Sequence, residues 1–245
     1  RSPSTRSLGG GGRAANPRTV VVLQNGAPLA MPWLGAVGSV VENWYPGEID
    51  GQAVADLLFG DANFSGKLPI TFPRKVSDGP LRTPQQYPGV SDAQGVPHTT
   101  YSERLRIGYR WFDQKKIKPL FPFGYGLSYT SFKLSRLKVR PTRTGGAAVR
   151  VRVTNTGRRA GAETVQVYLG FPKAAGEPPR QLKGFQKVSL APGASKTVSI
   201  SLDKRAFSIW AGRWTVKRGC YRVHVGDSSA HLPLVKRLAR AGGRC

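Results

Sequence analysis

The residues that most readily bind metals or act as nucleophiles are scarce in this sequence, which has three histidines and two cysteines among 245 residues. His98, His224 and His231 stand far apart, and none has a Glu or Cys partner at the spacing of a metal site. Cys220 and Cys245 match neither a metal-ligand spacing nor a disulfide framework. We expect Cys220 to fill a strand position as a small apolar group and Cys245 to lie free in the tail. The sequence therefore predicts no metal and no cofactor.

The acidic residues are also few, and two of them have a structural explanation. Glu48 and Asp50 open a stretch between Gly47, the predicted N-cap, and Gly60, which can take the left-handed conformation that ends a helix. Negative charge in the first turn is favoured by the helix dipole. One apolar face recurs at helical spacing along this stretch: Ile49, Ala53, Val54, Leu57 and Leu58.

Two predicted strands precede this helix. Residues 19–23, TVVVL, form a β-branched run typical of a strand buried on both faces, and residues 37–45 form the second strand. Residues 31–36 between them are a candidate short helix. Strands alternating with helices predict a parallel sheet. Residues 1–15, with four consecutive glycines, are predicted to be disordered.

From residue 128 onward, short strands alternate with turn residues, which predicts an antiparallel β-sandwich without a helix in residues 148–170. The candidate strands are 132–139, 148–154, 164–170, 188–190, 196–202 and 219–225. Alternation along them predicts these inward residues: Val151, Val153, Val165, Val167, Val198, Ile200, Val223 and Val225. The same alternation points Arg150, Arg152, Arg222 and His224 outward.

The formal net charge of +25 is unevenly distributed. Residues 1–127 hold 14 Lys and Arg against nine Asp and Glu, whereas residues 128–245 hold 24 against four. Such a field would attract an acidic polymer. Outward strand positions, as in VRVRV at 149–153, could equally account for many of these arginines. No run of about 18 apolar residues is present, so no membrane span is predicted.

Several long strings resemble glycoside hydrolase family 3, the β-glucosidase-like retaining glycosidases. WYPGEIDGQAVADLLFGDANFSGKLPITFP at 44–73 is similar to the second domain of that family. YSERLRIGYRWFD at 101–113 and PLFPFGYGLSYT at 119–130 are similar to hallmark strings of the same family. TNTGRRAGAETVQVYLGFP at 154–172 and GCYRVHVGDSS at 219–229 resemble the fibronectin type III-like domain that ends many members. The resemblance covers about residues 16–235.

The resemblance implies an α/β remnant, a parallel sheet with helices, followed by an all-β fibronectin type III-like sandwich. Its boundaries are a tail at 1–15, the C-terminal part of the family's α/β sandwich domain at 16–127, which includes a long predicted loop at 74–100, the fibronectin-like domain at 128–235 and a basic tail at 236–245. A start without Met predicts that the sequence begins inside a longer protein. Secreted and cytoplasmic locations both stay open.

In the family, the nucleophilic Asp lies in a Ser-Asp-Trp-like motif of an N-terminal (β/α)8 barrel. Here the two Ser-Asp pairs, at 77–78 and 91–92, continue into Gly79 and Ala93 and do not match it. The family's acid/base Glu precedes the strand that matches 20–23, and residues 1–18 contain no Glu. Both catalytic carboxylates are therefore expected upstream of this sequence.

The candidates for a substrate rim are Glu103, Arg110 and Trp111, all within one family string. Glu103 could pair with an arginine to fix this loop. Arg104 departs from the family, in which Gly commonly follows that Glu, so the backbone turn there is open to alteration. Trp33 and Trp44 have flat faces that sugars stack on, although a place in the core explains them as well.

Two functions follow from the sequence. The first is the C-terminal portion of a β-glucosidase-like hydrolase of O-glycosyl bonds, which meets its carbohydrate substrate through a barrel domain and is inactive as this chain alone. The alternative is a non-catalytic, basic fibronectin-like module that binds an acidic polymer.

Overall fold

The computed structural model describes residue 16 and residues 18–245, so the predicted disordered tail at 1–15 lies outside the described residues. The described part is mostly β, with 13 strands and two α-helices. The chain divides into two compact units, Arg1–Ala62 with Phe72–Val76, and Asn63–Thr71 with Ser77–Cys245. None of the described helices is long and apolar enough to cross a membrane.

The first unit contains a parallel strand pair and a helix. Strands β1 (Val20–Leu23) and β2 (Ser39–Glu42) pair in parallel, a 3-10 turn spans Leu34–Ala36, and helix α1 spans Asp50–Phe59. The helix ends as predicted at Gly60, whose φ is 88°.

The predicted start of α1 was wrong. Ile49, not Gly47, is the N-cap, because Gly47 has a φ of 79° and makes a turn before the helix. Asp50 still lies in the first turn. Its carboxylate accepts hydrogen bonds of 2.5 Å from the side-chain amides of Gln24 and Asn43, which follow the ends of β1 and β2. Asp50 therefore joins the helix to both strands. The second strand is shorter than the predicted range of 37–45.

The second unit is built on two antiparallel sheets. The three-stranded sheet has the order β5 (Phe132–Pro141), β6 (Ala147–Asn155), β9 (Ser195–Leu202). The four-stranded sheet has the order β13 (Leu234–Arg240), β12 (Gly219–Gly226), β7 (Gly161–Gly170), β8 (Gln181–Leu190). Residues 148–170 contain no helix, as predicted.

The core between these two sheets confirms the predicted inward residues, because all eight are buried. Phe207 and Tyr221 join them, with rings 5.7 Å apart. Arg150 and Arg222 are exposed, as predicted, whereas Arg152, which was also predicted to face outward, is half-buried. His224 was predicted to face outward to solvent or a partner, but it is half-buried. Its burial, together with nearby Arg180 and Arg222, lowers its pKa to about 4.

Several elements of this unit were not predicted. A small hairpin joins β10 (Ser208–Trp210) to β11 (Trp214–Val216), and another joins β3 (Val90–Ser91) to β4 (Pro97–His98) within the predicted loop. Helix α2 spans Tyr109–Lys115. Strand β13 extends to Arg240, beyond the residue at which the basic tail was expected to begin.

The cysteine prediction was wrong. Cys220 and Cys245 form a disulfide with a Cα–Cα distance of 4.9 Å, so neither is a free thiol. The disulfide could not be inferred from sequence spacing alone. Cys245 comes close to Cys220 only because β13 pairs antiparallel with β12.

Candidate functional site

Strand β7 is buried on both of its faces. Val165, Val167 and Leu169 point into the core between the sheets, and Gln166 and Tyr168, on the other face, are 3% and 0% exposed. The Tyr168 hydroxyl donates to the Gln166 side-chain oxygen at 2.7 Å. Burial raises the pKa of Tyr168 and keeps its phenol protonated. Something must therefore cover the outer face of the four-stranded sheet.

Helix α2 and the residues after it provide that cover. The Tyr109 ring lies 5.6 Å from the Tyr168 ring, edge-on, and 5.1 Å from the Phe123 ring. The backbone N–H of Leu182, on β8, donates to the Tyr109 hydroxyl at 2.8 Å. Helix α2 has only seven residues, too few for stability in isolation, so these contacts with the sheet hold it in place.

An ion pair fixes the other end of α2. The Arg180 Nε donates to the Asp113 carboxylate at 3.0 Å, and a terminal guanidinium nitrogen donates to its second oxygen, which makes the pair bidentate. The two side chains are 26% and 15% exposed. Burial raises the pKa of Asp113, and the Arg180 charge opposes that rise. The pair thus sets the position of the helix at the cost of partial desolvation.

The Gln166 amide anchors the chain after α2. Its nitrogen donates to the Gly124 carbonyl at 3.1 Å and to the Asp227 carbonyl at 2.6 Å. Gly124 has a φ of 80°, and a Cβ at this position would collide with the Gln166 amide. Glycine is therefore required here by both conformation and space.

A second anchor holds residues 63–71 to the start of β7. Lys67 forms a 2.8 Å ion pair with Glu163, and its ammonium also donates to the Gly126 carbonyl at 3.2 Å. Asn63 donates to the Ala160 carbonyl at 2.8 Å and accepts from the backbone N–H of Tyr129 at 2.8 Å. Residues 63–71 and the segment around Gly124, which both lie in strings that resemble the family, are thus attached to β7 or the residue before it.

Among the predicted rim residues, Glu103 is buried at 8% exposure. Its carboxylate accepts a 3.0 Å hydrogen bond from the Gln86 amide rather than pairing with the arginine that was predicted. Arg104 has a φ of 53°, the left-handed region in which glycine is favoured. Arg104 therefore has a backbone conformation that glycine, the residue common at this position in the family, would adopt more readily.

Arg110 and Trp111 are neighbours on α2. The Arg110 guanidinium lies 5.8 Å from the centroid of the Tyr109 ring. The Trp111 indole N–H donates to the Asp78 carbonyl at 2.8 Å, and its ring, 9% exposed, has the Lys115 ammonium 5.1 Å from its centroid. No described hydrogen bond or ion pair joins Glu103 to Arg110 or Trp111. In the first unit, Trp33 is half-buried, and Trp44 packs 5.9 Å from the Phe72 ring.

The residues that organise this site were missed because no motif marks them. Arg180 lies 67 positions from Asp113, and Gln166 lies 42 positions from Gly124. The available signal was the run TVQVYLG at 164–170, in which uncharged outward residues alternate with valine and leucine. Such a strand is suited to burial on both faces.

Comparison with known families identifies the class of protein. Residues 11–129 match the glycosyl hydrolase family 3 C-terminal domain, and residues 163–229 match the fibronectin type III-like domain. The chain belongs to glycosyl hydrolase family 3 and corresponds to the C-terminal part of its β-glucosidases.

The relatives carry matching names. The chain is 43% identical over 235 residues to a beta-glucosidase of Rhizobium radiobacter, a match that covers 89% of this chain and 28% of that protein. It is 44% identical over 222 residues to the thermostable beta-glucosidase B of Acetivibrio thermocellus, covering 88% of this chain and 28% of that protein. The chain thus spans little more than a quarter of the length of these relatives.

Solved structures similar to this chain are also beta-glucosidases. The beta-glucosidase DesR from Streptomyces venezuelae, in complex with D-glucose, is similar with a TM-score of 0.86 and 42% identity, covering 93% of this chain and 29% of that chain. A Bifidobacterium adolescentis GH3 beta-glucosidase has the same TM-score at 38% identity, covering 93% and 33%. These comparisons do not favour the alternative of a non-catalytic basic module.

Proposed function

We propose that this chain supplies the C-terminal part of a β-glucosidase that hydrolyses O-glycosyl bonds in carbohydrate metabolism. The observation that carries the proposal is the attachment of the family-like segment 101–127 to the outer face of the four-stranded sheet, through the Asp113–Arg180 pair. The sandwich acts as a rigid support that holds this segment where a neighbouring barrel domain, with its bound carbohydrate, requires it. In the same proposal, β1 and β2 belong to a larger parallel sheet.

We further propose that the 245 residues do not hydrolyse glycosides alone. A retaining glycosidase uses two carboxyl groups about 5–5.5 Å apart. Three acids of the second unit, Glu103, Asp113 and Glu163, have an amide, an arginine and a lysine as their partners, which supports structural roles for these three. The catalytic pair would come from the barrel domain, with Arg110 and Trp111 near the rim and Glu103 fixing the loop behind them.

The test is an assay of purified residues 1–245 on nitrophenyl β-glucoside, β-xyloside and β-N-acetylglucosaminide, alone and with a separately expressed barrel fragment of a relative. We expect background rates alone and turnover with the barrel fragment. Turnover by the chain alone that is lost in Glu103→Gln would contradict the proposal. Glu48→Gln is the control, because that residue is exposed.

A further inference from the structure

The outer face of the three-stranded sheet carries a set of cations that the proposed function does not use. Because Val149, Val151 and Val153 are buried, alternation along β6 places Arg150 and Arg152 on the opposite face. We call the following residues on this face of β5 and β6 the cationic face: Lys133, Lys138, Arg140, Arg150 and Arg152.

The strand register brings these charges together. Lys138 lies directly opposite Arg150, and the next outward residue of β6, Arg152, is paired with Ser135. Neighbouring strands lie about 4.8 Å apart, and outward residues recur about every 6.7 Å along a strand, so the cations form a close grid. Like charges directly opposite each other destabilise a sheet.

Nothing on these three strands balances the charge. The sequences of β5, β6 and β9 contain no Asp or Glu. The ion pairs of the described residues involve Lys67, His98, Arg180 and His231, and none of the cationic face. The other outward positions that have a register partner hold one alanine and these hydroxyl residues: Ser135, Thr154, Ser195, Thr197, Ser199 and Ser201. The face therefore lacks a counter-charge of its own.

We propose that the cationic face binds an extended acidic polysaccharide. The face has no aromatic side chain on which the bases of a single-stranded nucleic acid could stack. It also lacks the large apolar residues that insert into a lipid surface. Its row of hydroxyls on β9 supplies donors and acceptors suited to a hydroxyl-rich polymer, beside cations suited to carboxylates. The choice of a carbohydrate over other polyanions also rests on the proposed function.

The binding would hold the chain on an acidic glycan. Its strength should fall with added salt, since a polyanion releases counterions when cations neutralise it. Binding should also raise the thermal stability of the chain, because it relieves the repulsion between Lys138 and Arg150.

The experiment is calorimetric titration of the chain with polygalacturonate at low and moderate salt. The test variant is Lys138→Gln/Arg150→Gln, and the matched control is Lys236→Gln/Arg237→Gln, which removes two exposed cations from β13. We expect the test variant to lose about tenfold or more in affinity, or about 1.4 kcal/mol. The slope of its log affinity against log salt concentration should decrease in magnitude by about one for each cation removed. The control should bind like the wild type.

The test variant should be at least as stable as the wild type at low salt, so weaker binding cannot be attributed to unfolding. An equal loss in the control would overturn the proposal in favour of attraction by net charge alone. Tighter binding to duplex DNA than to polygalacturonate would assign the face to a different class of partner. Since no turnover is measured, failure of this proposal leaves the β-glucosidase proposal standing.

Discussion

On the outer face of the four-stranded sheet, Gln166 and Tyr168 are buried beneath α2, whereas on the outer face of the three-stranded sheet Arg150 is exposed. Both faces belong to one sandwich and share one core. The covered face carries an amide and a phenol whose polar atoms are hydrogen-bonded, and the bare face carries cations and small hydroxyls. The types of outward residue on a strand therefore indicate whether that face is covered. A buried polar group needs a fixed hydrogen-bond partner, whereas a solvated one does not.

The largest effect should follow removal of the ring at the centre of the covered face. We expect Tyr168→Ala to lower the free energy of unfolding by about 3–5 kcal/mol, as for other fully buried aromatic residues. Arg150→Ala, at an exposed position of the bare face, should stay within about 0.5 kcal/mol. Urea unfolding of both variants measures the two values. Similar losses at both positions would remove the distinction between the faces.

Separating α2 from the covered face should have an intermediate effect. Asp113→Asn should lower stability by about 1–3 kcal/mol, between the values for exposed and fully buried ion pairs. It should also make residues 101–127 more sensitive to limited proteolysis. Asp92→Asn, in the surface pair with His98, is the control and should leave the cleavage pattern unchanged. An Asp113→Asn pattern identical to the wild type would show that the ion pair does not hold α2.

Acid should weaken the covered sheet through His224. Burial holds its folded-state pKa at about 4, below the ordinary value of 6.5, so the unfolded chain binds the proton more readily. The stability that neutral His224 contributes is complete above pH 6.5 and is lost as the pH falls towards 4. In His224→Gln this component of the pH dependence should disappear, whereas His231→Gln, at an exposed position, should keep it. Denaturation at a series of pH values tests both variants.

The smallest expected effect is an increase in the free energy of unfolding. Arg104→Gly relieves the left-handed conformation of a side-chain-bearing residue, and we expect about 1 kcal/mol of stabilisation, less the added freedom of the unfolded chain. Arg106→Gly, two residues further in the same turn, should not stabilise. Thermal unfolding of the two variants distinguishes them, and a loss in Arg104→Gly would mean that the arginine side chain makes a stabilising contact.

Much of the fold could be predicted from the alternation of apolar and polar residues along single strands. This alternation identified β6 and β9 nearly to their ends and assigned Val151 and Ile200 to the core, because period-two burial is a local property of a sequence. Resemblance to a family added the order of the domains and drew attention to the segment around Glu103.

Non-local pairing explains what the sequence did not reveal. Strand β13, LVKRLAR, has four polar or small residues among its seven, and its place beside β12 depends on a register between distant residues. Helix α2 is too short to show a helical period, and its stability comes from Tyr168 and Arg180. The roles of such residues become visible only when the sheet brings them together.

The disulfide between Cys220 and Cys245 changes how the sheet can come apart at its edge. It closes a covalent ring that contains most of β12 and all of β13. An edge strand ordinarily separates from its sheet beginning at one end, and its backbone N–H and C=O groups can then pair with another molecule. With both ends of β13 inside the ring, that strand can leave the sheet only as a tethered loop. Under mechanical load from the C-terminal end, force would pass through the sulfur bridge to β12 and bypass the hydrogen bonds of β13.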